Sequence, residues 1–286
     1  MRKIIISGHT PIKNILTVFF SIIAVVLCNA QNSSDYLQLV DESDKAIKDC
    51  NWAKADSCLT TAIESEPDNP SNILLMSNLG MIRFYAGNDS MALVTLDQAV
   101  NAAPASVAVL ANRARVLTAT GHTAEAIRDY NIIEHLDSTY TAPYLYRGMI
   151  FLYMGAMDEA KKNFEKLREL DDKSLDACIA LANYYTFAEQ PEEAIPYYKK
   201  LIDTSPEAAY YAGRARCLLQ RDALLDASED IASGIELDPN YAELYICRAI
   251  LNKKRYRMDD ALADGNRAIQ LGADKDYVYR LLGIKE

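Results

Sequence analysis

Two histidines lie beyond residue 30, His122 and His135, and they stand thirteen residues apart. Neither sits in an HExxH context or beside a serine or cysteine nucleophile motif, so neither a zinc site nor a triad is expected from them. Acidic pairs occur at Asp158-Glu159, Glu192-Glu193 and Asp259-Asp260. Each opens a helical pattern, where carboxylates stabilise the positive end of the dipole, and that explains them better than acid–base work. Five cysteines follow residue 30: Cys50, Cys58, Cys178, Cys217 and Cys247. The number is odd and no CxxC occurs, which argues against a disulfide framework or a thiolate metal site. Cys50 and Cys58 flank a turn and could meet in an oxidising compartment, a pairing the spacing leaves open. No phosphate-cradling glycine loop and no GxSxG is present. The expectation is a chain with no catalysis, no metal and no small-molecule cofactor.

A different chemistry is spaced regularly. Arginine occurs at 113, 147, 214 and 248, and sixteen residues after three of these stands aspartate: Asp129, Asp230 and Asp264. Asn163 follows Arg147 at the same interval. At the corresponding places of the stretches lacking this arginine stand Cys58, Thr95 and Tyr197. Aspartate thus appears where arginine does. A buried arginine without a partner is costly, so Arg113–Asp129, Arg214–Asp230 and Arg248–Asp264 are expected as structural ion pairs. Each would link the two helices of one unit or reach the next.

A repeat places these residues. Ala92, Ala126, Ala160, Ala194, Ala227 and Ala261 recur at intervals of 34, 34, 34, 33 and 34 residues. Gly87, Gly121 and Gly155 each precede their alanine by five. Around each alanine the apolar residues keep helical spacing, as in Tyr245, Ala249, Ala261, Gly265 and Ala268. A degenerate first copy uses Trp52, Ala55, Leu59, Ala62 and Pro67, with extra residues near Asp68-Asn69-Pro70. A period near 34 marks a solenoid whose units bury their apolar faces on their neighbours.

The order of large residue, Leu-Gly or its equivalent, Tyr, then Ala, Phe or Tyr, Ala and Pro resembles the tetratricopeptide repeat family. The resemblance implies an all-α, right-handed superhelical solenoid of antiparallel helix pairs. Seven units are expected near 36–69, 70–106, 107–140, 141–174, 175–207, 208–241 and 242–273, making an array over 36–273. Residues 274–286 would form a capping helix and tail, with Tyr277, Val278, Leu281 and Leu282 covering the last open face. In that family the first helices line a concave groove that binds a peptide segment or helix of a protein partner. By analogy Phe84, Tyr85, Arg115, Met149, Tyr153, Asn183, Phe187, Arg216, Lys253 and Lys254 are candidate partner-binding residues. Ser77, Met81, Ala111, Leu152, Ala212, Leu219 and Ile246 fall on the same reading. The charged members are basic, which favours a neutral-to-acidic, partly apolar ligand. The alternative role is a structural or assembly component acting through convex or end surfaces, self-association included.

The first thirty residues stand apart. Arg2, Lys3 and Lys13 precede the uncharged apolar run Ile15–Leu27, and Cys28-Asn29-Ala30 gives small or short residues before polar 31–34. This has the form of a signal peptide over 1–30, cleaved after Ala30, with a short linker over 31–35. Export to a periplasm or cell envelope is expected. Membrane association would then require that the segment be retained or lipidated. The net charge of −10 becomes −13 once those three cations are removed. So acidic a chain is a poor partner for nucleic acid.

Overall fold

The structure is a computed structural model that describes residues 33–284. The expected signal peptide lies outside them. The described residues form fifteen α-helices and no strand. The chain divides into two compact units at Met154/Gly155. The first unit holds α1 (Ser34–Lys48), α2 (Trp52–Ser65), α3 (Asn72–Tyr85), α4 (Asp89–Ala102), α5 (Val107–Ala119), α6 (Thr123–Leu136) and α7 (Ala142–Met154). The second holds α8 (Met157–Leu170), α9 (Leu175–Phe187), α10 (Pro191–Thr204), α11 (Ala208–Gln220), α12 (Leu224–Leu237), α13 (Ala242–Lys254), α14 (Met258–Gln270) and α15 (Lys275–Leu282). Odd-numbered helices up to α13 are the first helices of successive repeats, and even-numbered ones are the second.

Local chemistry sets the helix ends. Asn51, Asn88 and Ser174 cap α2, α4 and α9, each side chain accepting from a backbone N–H three residues on. The first helices stop in one way. Residues 50, 87, 121, 155, 189, 222 and 256 all take left-handed backbone, with φ between 54° and 83°. At the end of α3, Asn88 N–H donates to Arg83 C=O at 2.8 Å and Gly87 N–H to Phe84 C=O at 2.9 Å. That is the two-bond closure of a left-handed helix stop. Glycine occupies three of these seven positions, whereas Cys50, Glu189, Asp222 and Tyr256 carry side chains there.

The alanines of the 34-residue beat are all fully buried. They sit where the second helix of a repeat crosses a helix of its own or the next repeat, and larger residues fill the gaps beside them. In the second unit Gly213 on α11 lies so close to Tyr198 of α10 that an added Cβ would stand 2.3 Å from the ring. Tyr198 is buried there, and burial pushes its phenol up to about 12. At the other end of the chain, Tyr36 of α1 is buried against the second repeat, its hydroxyl donating to Asn72 Oδ1 at 2.9 Å. Helix α15 lays Val278 and Leu282 against α13 and α14 and buries both. Tyr277 and Leu281 are half-buried at its edge.

From α3 onward, first helices within each unit pack on one another: α3 on α5 and α5 on α7, then α9 on α11 and α11 on α13. Second helices chiefly meet first helices. The first helices therefore stand closer together and form the inner face of each unit.

Arginine–aspartate pairs tie the two helices of a repeat. Arg113 on α5 grips Asp129 on α6 with Nε at 2.8 Å and Nη2 at 2.7 Å. Its Nη1 reaches back to Asp97 on α4 at 2.9 Å. Arg214 holds Asp230 at 2.7 and 2.6 Å, and Arg248 holds Asp264 with Nε at 2.9 Å and Nη2 at 2.6 Å. All three aspartates are buried. Bonding to its carboxylate holds each guanidinium above its ordinary range. Arg147 reaches sixteen residues back to Asn131 and pairs with Glu134 at 2.6 Å. Arg147, Arg214 and Arg248 also lie over the rings of Tyr144, Tyr211 and Tyr245, three residues earlier, at 5.7, 5.9 and 5.0 Å. Arg83 solves the same problem from a shifted position. It stands one turn beyond Leu79, which occupies the arginine position, and donates to Thr95, which occupies the aspartate position, at 2.6 Å. It also pairs with Asp56 of α2 at 2.9 Å.

Two outcomes follow for stability. Asp230→Ala strands a largely buried guanidinium and lowers stability by about 3 kcal/mol, read as a fall in the urea midpoint. Replacing Arg214 and Asp230 together by leucine restores most of that loss, because no unpaired charge remains. At the left-handed stops, Tyr256→Gly raises stability by about 1 kcal/mol and Gly121→Ala lowers it by a similar amount. The same urea titration separates the two, since neither change alters a packed contact: Tyr256 is 97% exposed and a Cβ on Gly121 meets open space.

Candidate functional site

The inner face of the first unit is aromatic. Trp52 stacks on Tyr85 with centroids 5.4 Å apart, and Phe84 packs beside Tyr85 at 5.6 Å. Two repeats further, Tyr146 of α7 stacks on buried Tyr130 at 6.0 Å. Between these groups Arg115 of α5 donates from Nη2 to Tyr85 Oη at 3.3 Å. Its charge is near enough to Tyr130 and Tyr140 to favour their ionised forms, against the dominant effect of burial, which raises both. Met149 is half-buried, and Tyr153 at the end of α7 is 64% exposed.

In the second unit the first-helix face is more polar and more self-contained. Asn183 is exposed and accepts from the Tyr198 hydroxyl at 3.3 Å. Phe187, at the end of α9, is 36% exposed. Tyr185 stacks on Tyr197 at 5.9 Å. Arg216 of α11 pairs with Glu243 of α13. Lys253 donates to the Leu281 carbonyl at 2.7 Å, and Lys254 pairs with Asp222. With Ile250, Tyr256 and Leu281 the two lysines line a shallow open groove at the C-terminal end of this unit.

Two sequence expectations change. The basic candidates Arg216, Lys253 and Lys254 each have an acceptor within the chain, which the repeat register does not foretell. The stacking of one repeat on the next supplies it, through Glu243, the Leu281 carbonyl and Asp222. Lys254 and Asp222 form an exposed pair, which holds the lysine only weakly. Ser77, Met81, Ala111, Leu152, Ala212, Leu219 and Ile246 also leave the groove list, because they are buried. Adjacent first helices approach closely enough to cover them. Conversely Trp52 opens a second helix, and its aromatic contribution to the inner face was not read from the repeat register.

Among the described residues no group of three or more histidines, cysteines or carboxylates could hold a metal ion. The five described cysteines are free thiols; Cys50 is exposed and Cys58 buried. Burial pushes the Cys247 thiol up to about 11, far from the thiolate form that a nucleophile needs. His122 is exposed, with its Nδ1 2.9 Å from the Thr120 hydroxyl. No described helix is long and apolar enough to cross a membrane.

Residues 144–174 and 175–207 each match a family model described as a tetratricopeptide repeat. A crystal structure of a tetratricopeptide repeat protein from Parabacteroides merdae is similar at a TM-score of 0.70 and 25% identity, covering 88% of this chain and 98% of that one. The mitochondrial import receptor subunit TOM70 of Homo sapiens is 24% identical over 251 residues, which are 82% of this chain and 41% of that protein. The DnaJ homolog subfamily C member 7 homolog of Dictyostelium discoideum is 26% identical over 161 residues, 50% of this chain and 30% of that protein. The chain thus spans less than half the length of these curated relatives. Residues 144–207 thus match two tetratricopeptide repeats, and the all-α helix pairs with their 34-residue beat are similar to the fold of solved tetratricopeptide repeat proteins, a family of protein-interaction scaffolds.

Proposed function

We propose that this chain is a non-catalytic adaptor that binds a peptide segment or helix of a partner protein along the inner faces of its first helices. The observation that carries this reading is the exposure of Tyr153 and Phe187, each near the end of a first helix. Aromatic side chains left in water at a preformed surface are typical anchors for a partner. The surrounding helices are already packed, so binding there orders little chain and costs little entropy. The similar TOM70 is a mitochondrial import receptor subunit, and that supports a binding rather than a catalytic role here.

We further propose that the protein works outside the cytoplasm, in a periplasm or cell envelope. This rests on the basic start, apolar run and small residues of positions 1–30. A second role, assembly through the outer faces, is favoured by Met91 and Val94 one turn apart on α4 and by Ile132 and Leu136 on α6, all exposed.

Tyr153→Asp and Phe187→Asp are expected to cut recovery of a crosslinked partner from cells at least tenfold, with the melting temperature unchanged for Tyr153→Asp, which is 64% exposed, and slightly lowered for Phe187→Asp, which is 36% exposed. Recovery equal to wild type would defeat the inner-face reading. Recovery lost instead with Val94→Asp, together with a change in oligomeric mass, would favour assembly through the outer face. Export is checked by N-terminal sequencing of the protein from the envelope fraction, which is expected to begin at Gln31.

A further inference from the structure

Arg115 and Arg216 occupy the same place in the array, each eleven residues before its repeat's register alanine, Ala126 and Ala227. Both sit half-buried on the inner face of a first helix. Twenty-seven residues after Arg216 stands Glu243, on the next first helix, and the two form an ion pair. Twenty-seven residues after Arg115 stands Ala142. No described carboxylate forms an ion pair with Arg115, and its contact is the neutral Tyr85 hydroxyl at 3.3 Å. The chain therefore contains one arginine site twice, once completed by its own carboxylate and once left open.

We infer that Arg115 receives the side-chain carboxylate of an aspartate or glutamate carried by a segment of a partner protein, flanked by apolar residues. This rests on the proposed binding along the inner face and names the partner chemistry there. A guanidinium presents a planar fork that matches a carboxylate, and a charge-assisted bond in a partly desolvated setting is stronger than the phenol contact Arg115 now makes. Tyr85, stacked on Trp52 and packed beside Phe84, flanks the arginine on one side, and the Tyr130–Tyr146 stack flanks the other. These rings suit apolar residues on either side of the acid. Glu243 is the model for the occupant: an acid within a chain rather than a chain terminus.

The test uses an array of acetylated, amidated heptapeptides with a central glutamate and Leu, Phe, Ala or Ser elsewhere. It is printed beside the same sequences with central glutamine and the glutamine set with free C-termini. The protein, residues 31–286, is expected to bind a subset of glutamate peptides at least tenfold more tightly than their glutamine partners. Arg115→Gln is expected to erase that preference. Ala142→Glu, which installs what Glu243 supplies to Arg216, is expected to erase it too without lowering the melting temperature, so loss of binding is not loss of fold. Equal binding of glutamate and glutamine peptides, or a preference that survives both substitutions, overturns the assignment of Arg115 while leaving inner-face binding intact. Preference for free C-termini over internal glutamate also overturns it. Failure of every peptide to bind overturns both readings.

Discussion

The close approach of helices at the small-residue register is the constraint on which the rest depends. Ala92, Ala126, Ala160, Ala194, Ala227 and Ala261 have no exposed surface, and Gly213 has no room for even a methyl group beside Tyr198. Interiors packed to crystal-like density do not absorb extra atoms without displacement. The register therefore fixes how far each helix stands from its neighbours, and through that which side chains reach across. Residues sixteen apart face each other over the joint within a repeat, and residues twenty-seven apart meet between repeats, Arg216 with Glu243 along the inner face and Arg83 with Asp56 across to the preceding second helix.

Charge follows from that geometry. At the joints Arg113, Arg214 and Arg248 are half-buried and Arg147 is buried, and each is completed by a carboxylate or amide that the same register delivers. The buried ends of these pairs gain specificity more than stability, since two apolar residues of similar volume would pack as well. They do oppose sliding of one helix along the other, because a shifted register would strand a buried aspartate. Tyrosines three residues before Arg147, Arg214 and Arg248 present their ring faces to the same guanidiniums. On the inner face the same economy holds in the second unit, where Arg216 and Lys254 have carboxylates of their own. It is relaxed in the first unit, where Arg115 lies among tyrosines. The asymmetry between the two units is this difference in internal satisfaction, which net charge does not reveal.

Much of this was legible in the residues and some was not. The repeat and the Arg–Asp coupling were readable because a fixed interval repeats several times, so each copy supports the others. Arg83 with Asp56 and Thr95 was not, because the arginine has moved one turn along its helix and left the register. The inner face was read too generously. Helical period assigns Met81 and Ile246 to the right side of the helix but says nothing of how near the next first helix lies, and that distance buries them. The pairing of Arg216 with Glu243 was missed for the same reason, as it crosses between repeats. The left-handed stops at Cys50, Glu189, Asp222 and Tyr256 were hidden because side chains there disfavour that backbone, and only Gly87, Gly121 and Gly155 signalled it.

The central claim is that partners are engaged on the first-helix face and not on the outer one. Site-specific photo-crosslinking tests it most directly, with a benzophenone amino acid placed in turn at residues 153, 187 and 94 and the chain expressed in its native cell. The account predicts one protein partner captured from 153 and 187 and nothing from 94. Capture from 94 with none from 153 or 187 would contradict it.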